Sequence, residues 1–215
     1  MKYYILLVAL VICILVVLYY KYWKKDVCSP VRTIQTEDGV IEIVSPACQE
    51  GLPHTSDSNT IRMTETAYAD SRSATTLKHE RVHLDQKRNP LLWSEFYRRF
   101  WEYDLRTDAP HSLPKEYVKQ LRPNPDTADN PWAVWRNRWV FFPTYGPDAT
   151  LRRAKVRVWD MKTEMLVTPP PEWRAMFCVS NNCPHQFEHP HELAAEYIAE
   201  GSESVAAVKL FSWKH

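Results

Sequence analysis

His79-Glu80-Arg81-Val82-His83 constrains this chain more than any other stretch, because its chemistry requires a helix. Histidines four residues apart lie on one helix face, one turn above the other. Two imidazole nitrogens on that face can hold a single Zn²⁺ and leave a position for water. Glu80, one residue after the first histidine, can point at that water and take its proton rather than bind the ion. Leu77, Val82 and Leu84 give the segment apolar contacts, and Asn89-Pro90 is a stop, so the helix is expected over about Thr75–Arg88. Ser71 and Ser73 are candidate caps for its start. The bland alternative is a solvated helix carrying two surface histidines.

A third ligand has to come from elsewhere. The best candidate segment is Pro190-His-Glu-Leu-Ala-Ala-Glu-Tyr-Ile-Ala-Glu-Gly201. Pro190 suits the first position of a helix and Gly201 its end. Glu192 and Glu196 fall one turn apart beside the small residues Ala195 and Ala199. Small side chains let this helix approach the first one closely and bring Glu192 to the metal, while Glu196 would accept from the imidazole of His79 or His83. Glu192 as a solvated helix residue is the alternative.

With these residues in place, the sequence resembles the gluzincin class of zinc metallopeptidases. The resemblance covers His79, Glu80 and His83, then Glu192 and Glu196, and little else. It implies Zn²⁺ held by His79, His83 and Glu192, Glu80 as general base, and a peptide or protein substrate. Tyr197 and His189 are candidates for stabilising the oxyanion. Gln86 and Asn89 stand where a metzincin needs glycine and histidine, which excludes that class. Arg81 and Asp85 depart from the zinc-peptidase pattern, which usually has an uncharged and an apolar residue there. A rival metal tract lies in Cys183-Pro-His185-Gln-Phe-Glu-His189-Pro-His191, although its spacing matches no common zinc finger.

The N-terminus adds a different constraint. Tyr3 to Tyr20 carry no charge and are dominated by Ile, Leu and Val, a run that spans about 27 Å as a helix and is flanked by Tyr, Trp and Lys. The expectation is an uncleaved transmembrane anchor over residues 1–25, buried in the lipid bilayer through residues 3–20, and one domain over residues 26–215. Lys21, Lys24, Lys25 and Arg32 follow the run, so the positive-inside bias puts the C-terminal domain of a single-pass protein in the cytosol. Cys28 and Cys48 would then be free thiols. They nevertheless face each other across a hairpin expected from Arg32–Gln35 and Val40–Val44, turned at Glu37-Asp38-Gly39.

The remaining 190 or so residues suffice for one domain with a substantial core. A net charge of +1 argues against a charge-driven nucleic-acid partner. With 16 Pro, 9 Trp and only 4 Gly, the chain offers rigid loops pinned by aromatic side chains and no glycine-rich phosphate loop. Leu91–Arg106 shows helical spacing, a short helix is expected near Lys115–Leu121, and Trp135, Trp139 and Phe141 share one strand face in Pro131–Phe142. Leu151–Asp160 and Glu164–Thr168 read as a second hairpin. The expected class is α+β: a zincin-like domain with an active-site helix and antiparallel hairpins, preceded by one transmembrane helix. Two functions follow. One is a membrane-anchored zinc peptidase. The other is a non-catalytic membrane-anchored structural or interaction protein, a subunit of a large assembly or viral particle with protein partners and a fortuitous or remnant metal site.

Overall fold

Gly39 closes the first turn with φ +145°, and a Cβ there would collide with the carbonyl oxygen of Asn59. That turn joins β1 (Arg32–Thr36) to β2 (Gly39–Ile43), with Thr36 paired to Gly39, so the loop holds two residues, Glu37 and Asp38. The structure is a computed structural model and describes residues 27–122, 124–145, 150, 154–180 and 182–214. β3 (His54–Thr55) and β4 (Thr60–Met63) complete a four-stranded sheet of order β1-β2-β4-β3. β2 and β4 run parallel, so this sheet is not the set of antiparallel hairpins expected.

The helices follow: α1 (Glu65–Ala69), capped by the Thr64 hydroxyl, then α2 (Ser73–Arg88) and α3 (Pro90–Phe96). Neither Ser71 nor Ser73 caps α2; Arg72 occupies the cap position without a side-chain hydrogen bond. The helix expected over Leu91–Arg106 stops early. It passes through a π-helical turn, Tyr97–Trp101, after which Glu102 adopts φ +61° and turns the chain into β5 (Tyr103–Arg106). A short α4 (Lys115–Lys119) leads to β6 (Trp132–Trp135) and β7 (Trp139–Thr144). Arg136 and Asn137, both at positive φ, reverse the chain between these two strands, so Trp135 and Trp139 face each other across a hairpin instead of lying along one strand. β8 (Lys155–Asp160) and β9 (Met165–Val167) complete a five-stranded antiparallel meander in simple sequence order. α5 (Pro171–Phe177), α6 (Pro190–Glu200) and α7 (Val205–Lys214) close the fold.

The tryptophans hold the centre. Trp93, Trp101, Trp135 and Trp173 are fully buried with Phe96, Tyr97, Tyr103, Phe141 and Phe177, filling the space between the meander and the helices. The Trp173 indole donates to the Tyr103 hydroxyl at 2.7 Å and Trp135 donates to the Trp101 carbonyl at 3.0 Å, so these large rings bury no orphan N–H. α2 is wedged between two cores. Val82 joins the aromatic cluster, whereas Leu84 joins Ile41, Ile43, Ile61 and Met63 from the first sheet. Packing on both flanks is what fixes the rotation of α2, and therefore where its histidines point.

Two expectations about compartment are corrected. No helix among the described residues is long and apolar enough to cross a membrane, so the single-pass transmembrane assignment lacks support. The apolar run 3–20 on which it rested lies outside the described residues. Cys28 and Cys48 are joined in a disulfide, Cα atoms 4.8 Å apart, as are Cys178 and Cys183 at 4.2 Å. The hairpin is the reason: its ladder continues through the Val31 amide to the Ile43 carbonyl at 2.7 Å and carries both chain ends together. A cross-link closing a loop of that size adds about 3 kcal/mol on the chain-entropy estimate. The expectation of free thiols is therefore corrected: Cys28 and Cys48 are paired, as are Cys178 and Cys183. Alkylation of the native chain without reductant should leave Cys28, Cys48, Cys178 and Cys183 unmodified, as read by mass spectrometry. Modification of Cys28 and Cys48 under those conditions would restore the reduced arrangement.

Candidate metal centre

α2 and α6 pack against each other, and the buried Ala194 and Ala195 allow the close approach. Their contact brings His79, His83 and Glu192 together. His79 Nε2 and His83 Nε2 are 3.0 Å apart, and Glu192 Oε2 lies 3.3 Å from the first and 3.4 Å from the second. These three residues form the one group able to hold a metal ion among the described residues. His83 and Glu192 are buried at 1–2 % side-chain exposure and His79 is 15 % exposed, so the site opens to solvent on the His79 side.

Two of the three ligands, His83 and Glu192, are held by partners that leave the metal-facing atom free. The Gln86 amide nitrogen donates to the Tyr97 hydroxyl at 3.0 Å and to the His191 carbonyl at 3.1 Å. Its oxygen is thereby left to accept from His83 Nδ1 at 2.7 Å. A proton fixed on Nδ1 makes Nε2 the metal-facing nitrogen of neutral His83. Asn124 does the same for the carboxylate: its amide donates to Glu192 Oε1 at 2.7 Å and leaves Oε2 toward the imidazoles.

Glu80 is 4 % exposed, and its Oε2 has no hydrogen-bond partner. Burial, reinforced by the nearby Asp126 and Glu192 charges, pushes its carboxyl well above the usual range. Burial alone would lower His83, but the charges of Glu192 and Asp126 outweigh it and hold its pKa up at about 10. Glu192 is shifted the other way: burial opposes its charge, and the facing imidazoles overcome that and keep it well below the carboxylate range. Without metal the centre is thus an imidazolium–carboxylate pair, with the Glu80 carboxyl beside it biased by burial toward its uncharged form.

The pH dependence follows. Below pH 10 the metal-free site carries a proton on His83, and a metal can bind only when that proton leaves. Affinity therefore rises with pH, by about tenfold per unit while one proton is displaced. Calorimetric zinc titrations at pH 7 in two buffers of unlike ionisation enthalpy should report release of at least about one proton. Zero release would mean that the ion does not displace His83's proton.

The other expected site residues lie elsewhere. Glu196 does not reach an imidazole; its carboxylate accepts the backbone N–H groups of His185 at 3.0 Å and Gln186 at 3.1 Å and so pins the loop before α6. Tyr197 is buried, its hydroxyl donating to the Phe177 carbonyl, and it does not line the cleft at the metal ligands. His189 caps α6, its Nδ1 accepting from the His191 amide, and burial lowers its pKa to about 4, so it is a neutral structural imidazole. The rival tract dissolves for a related reason. Cys183 is in a disulfide, His185 is exposed, and His191 Nδ1 sits 3.4 Å from the Asp126 carbonyl.

Four residues near the centre carry no motif: Gln86, Asn124, Asp126 and Arg122. Gln86 is the one with a readable signal, three residues after His83 on the same helix face. Asp126 accepts from both the amide and the hydroxyl of Thr55, so it ties the segment after α4 to the first sheet. His79, Glu80, Glu192, Asn124, Asp126 and Arg122 all line one cleft of about 480 Å³. The arrangement offers two imidazole nitrogens and one carboxylate oxygen, with a buried carboxyl beside them, a donor set able to hold a metal ion. No protein-family model, curated protein or solved structure matches the chain. The zincin-like fold expected from the resemblance is accordingly withdrawn; what stands is a mixed α+β fold with two sheets and, among the described residues, seven α-helices.

Proposed function

We propose that the chain is a zinc-dependent peptidase with a gluzincin-type ligand set. The observation that carries this reading is the convergence of His79, His83 and Glu192 beside a buried Glu80 whose Oε2 has no partner. Zinc, when bound, supplies Lewis acidity that brings the pKa of a water toward neutrality. Glu80 would accept a proton from a water adding to a peptide carbonyl and would pass it to the departing amine as the C–N bond breaks. A raised carboxyl pKa suits that task, because it makes the carboxylate a stronger base toward the proton of a water. Gln86 and Asn124 keep His83 and Glu192 in the orientation the ion requires.

Elemental analysis of the purified chain tests the reading. One zinc per native chain and none in His83→Ala, together with metal-dependent cleavage of a peptide mixture, is the expected result. A native chain that takes up no divalent metal would end it.

A further inference from the structure

Arg122 is the residue of the cleft whose chemistry the proposed reaction leaves unused. Its side chain is only 15 % exposed, and its Nε is buried with no hydrogen-bond partner. The nearest acid is Glu188, whose Oε1 is 3.9 Å from a terminal nitrogen, too long for a hydrogen bond. Of the other acids lining the cleft, Glu80 is held toward its uncharged form by burial and Glu200 is exposed to solvent, while the remaining two are engaged. Asp126 accepts from Thr55, and Glu192 faces the imidazoles and Asn124. The backbone around Arg122 is fixed as well. Its amide donates to the Pro143 carbonyl at 3.0 Å, and the Tyr145 amide returns to Gln120 at 3.0 Å, which clips this segment to the end of β7.

A guanidinium removed from water with an unfilled donor is costly unless something anionic completes it. A carboxylate is the planar acceptor that fits its fork, and the position is open to the same cleft as the metal ligands. Arg72 also lines the cleft, but its side chain is 87 % exposed and sits 3.6 Å from Asp70, so solvent and that acid already satisfy it.

Resting on the peptidase reading, we propose that Arg122 is a substrate-binding residue that selects peptides carrying a carboxylate near the scissile bond. That carboxylate is either a free C-terminus or an acidic side chain, and the same guanidinium serves both.

The test uses the zinc-loaded full chain carrying Glu80→Gln, so that bound peptides are not consumed. Three fluorescent probes are titrated by polarisation: dansyl-tetra-alanine with a free C-terminus, its C-terminal amide, and the amide of dansyl-Ala-Ala-Asp-Ala. At least one carboxylate probe should bind about tenfold or more tightly than the tetra-alanine amide, and which one it is identifies the source. Adding Arg122→Gln should abolish that preference, Arg122→Lys should keep part of it, and Arg72→Gln should leave it intact. Equal binding of all three probes, a preference that survives Arg122→Gln, or one lost in Arg72→Gln would overturn the proposal. A preference that behaves as expected in a chain that cleaves no peptide would instead strike at the peptidase reading alone.

Discussion

Glu80→Gln should retain one zinc per chain and lose peptide hydrolysis by a factor of at least about 10²–10⁴, the range a positioned general base contributes. The two halves of this result are independent. Metal retention follows from the ligand set, since Glu80 is not among the three side chains whose donor atoms converge. Loss of turnover follows from the isosteric amide having no lone pair basic enough to take a proton. Stability should change little or rise: burial already favours the uncharged form of Glu80, and glutamine carries no charge. Zinc content, urea midpoint and turnover measured on one preparation separate these effects. Full activity in the variant would place the base elsewhere.

The site was legible in the sequence wherever it depends on spacing along one helix. His79, Glu80 and His83 follow from the 3.6-residue repeat, and Pro190 and Gly201 bracket α6 as end signals; Gly201 indeed sits at φ +84° just past the last turn. Glu192 was readable because a helix with small residues on one face has few ways to pack. The two departures from the peptidase pattern have structural reasons that no local pattern shows. Arg81 points away from the centre and pairs with Asp38 of the β1–β2 turn at 2.8 Å, while Asp85 accepts from Asn89 and the Trp93 indole to steer the chain into α3.

What stayed hidden is whatever depends on the chain returning from a distance. Asn124, Asp126 and Arg122 belong to a proline-rich excursion with no periodicity, and their roles appear only once that excursion docks on Thr55 and on the end of β7. Glu196 misled because, one turn after Glu192 on the same side of α6, it meets the loop at His185 and Gln186 and accepts their backbone N–H groups instead of reaching an imidazole. The β6–β7 reversal was missed because Arg136-Asn137 lacks the glycine that usually marks such a turn, and an arginine at φ +48° is an uncommon choice.

Glu192→Gln should remove both the metal and the charge balance of the empty site. As a ligand the carboxylate gives the ion an anionic oxygen opposite two neutral nitrogens; an amide is a much weaker donor to zinc, and metal affinity should fall by more than about 100-fold, beyond the range seen when only a ligand's supporting residue is lost. In the metal-free protein the same carboxylate lies 3.4 Å from His83 Nε2 and, with Asp126, holds that imidazole protonated up to about pH 10 against its own burial. A group whose folded pKa lies above its unfolded value adds stability that is complete below the unfolded pKa and is lost as pH rises through the folded one. Glu192 itself is depressed on folding, so its share is present above the ordinary carboxylate range and disappears on acidification. The pair's stabilisation of the metal-free fold is therefore complete between about pH 4.5 and 6.5 and declines as pH rises toward 10. Breaking one member of a buried pair typically costs about 3–5 kcal/mol, reduced here because His83 can shed its proton once the carboxylate is gone. Urea unfolding in a chelator should show the variant destabilised by about 3 kcal/mol at pH 7, with the difference narrowing toward pH 10 as native His83 deprotonates. A zinc affinity unchanged by the substitution would remove Glu192 from the centre, and a destabilisation independent of pH would mean that the carboxylate packs there without holding the proton on His83.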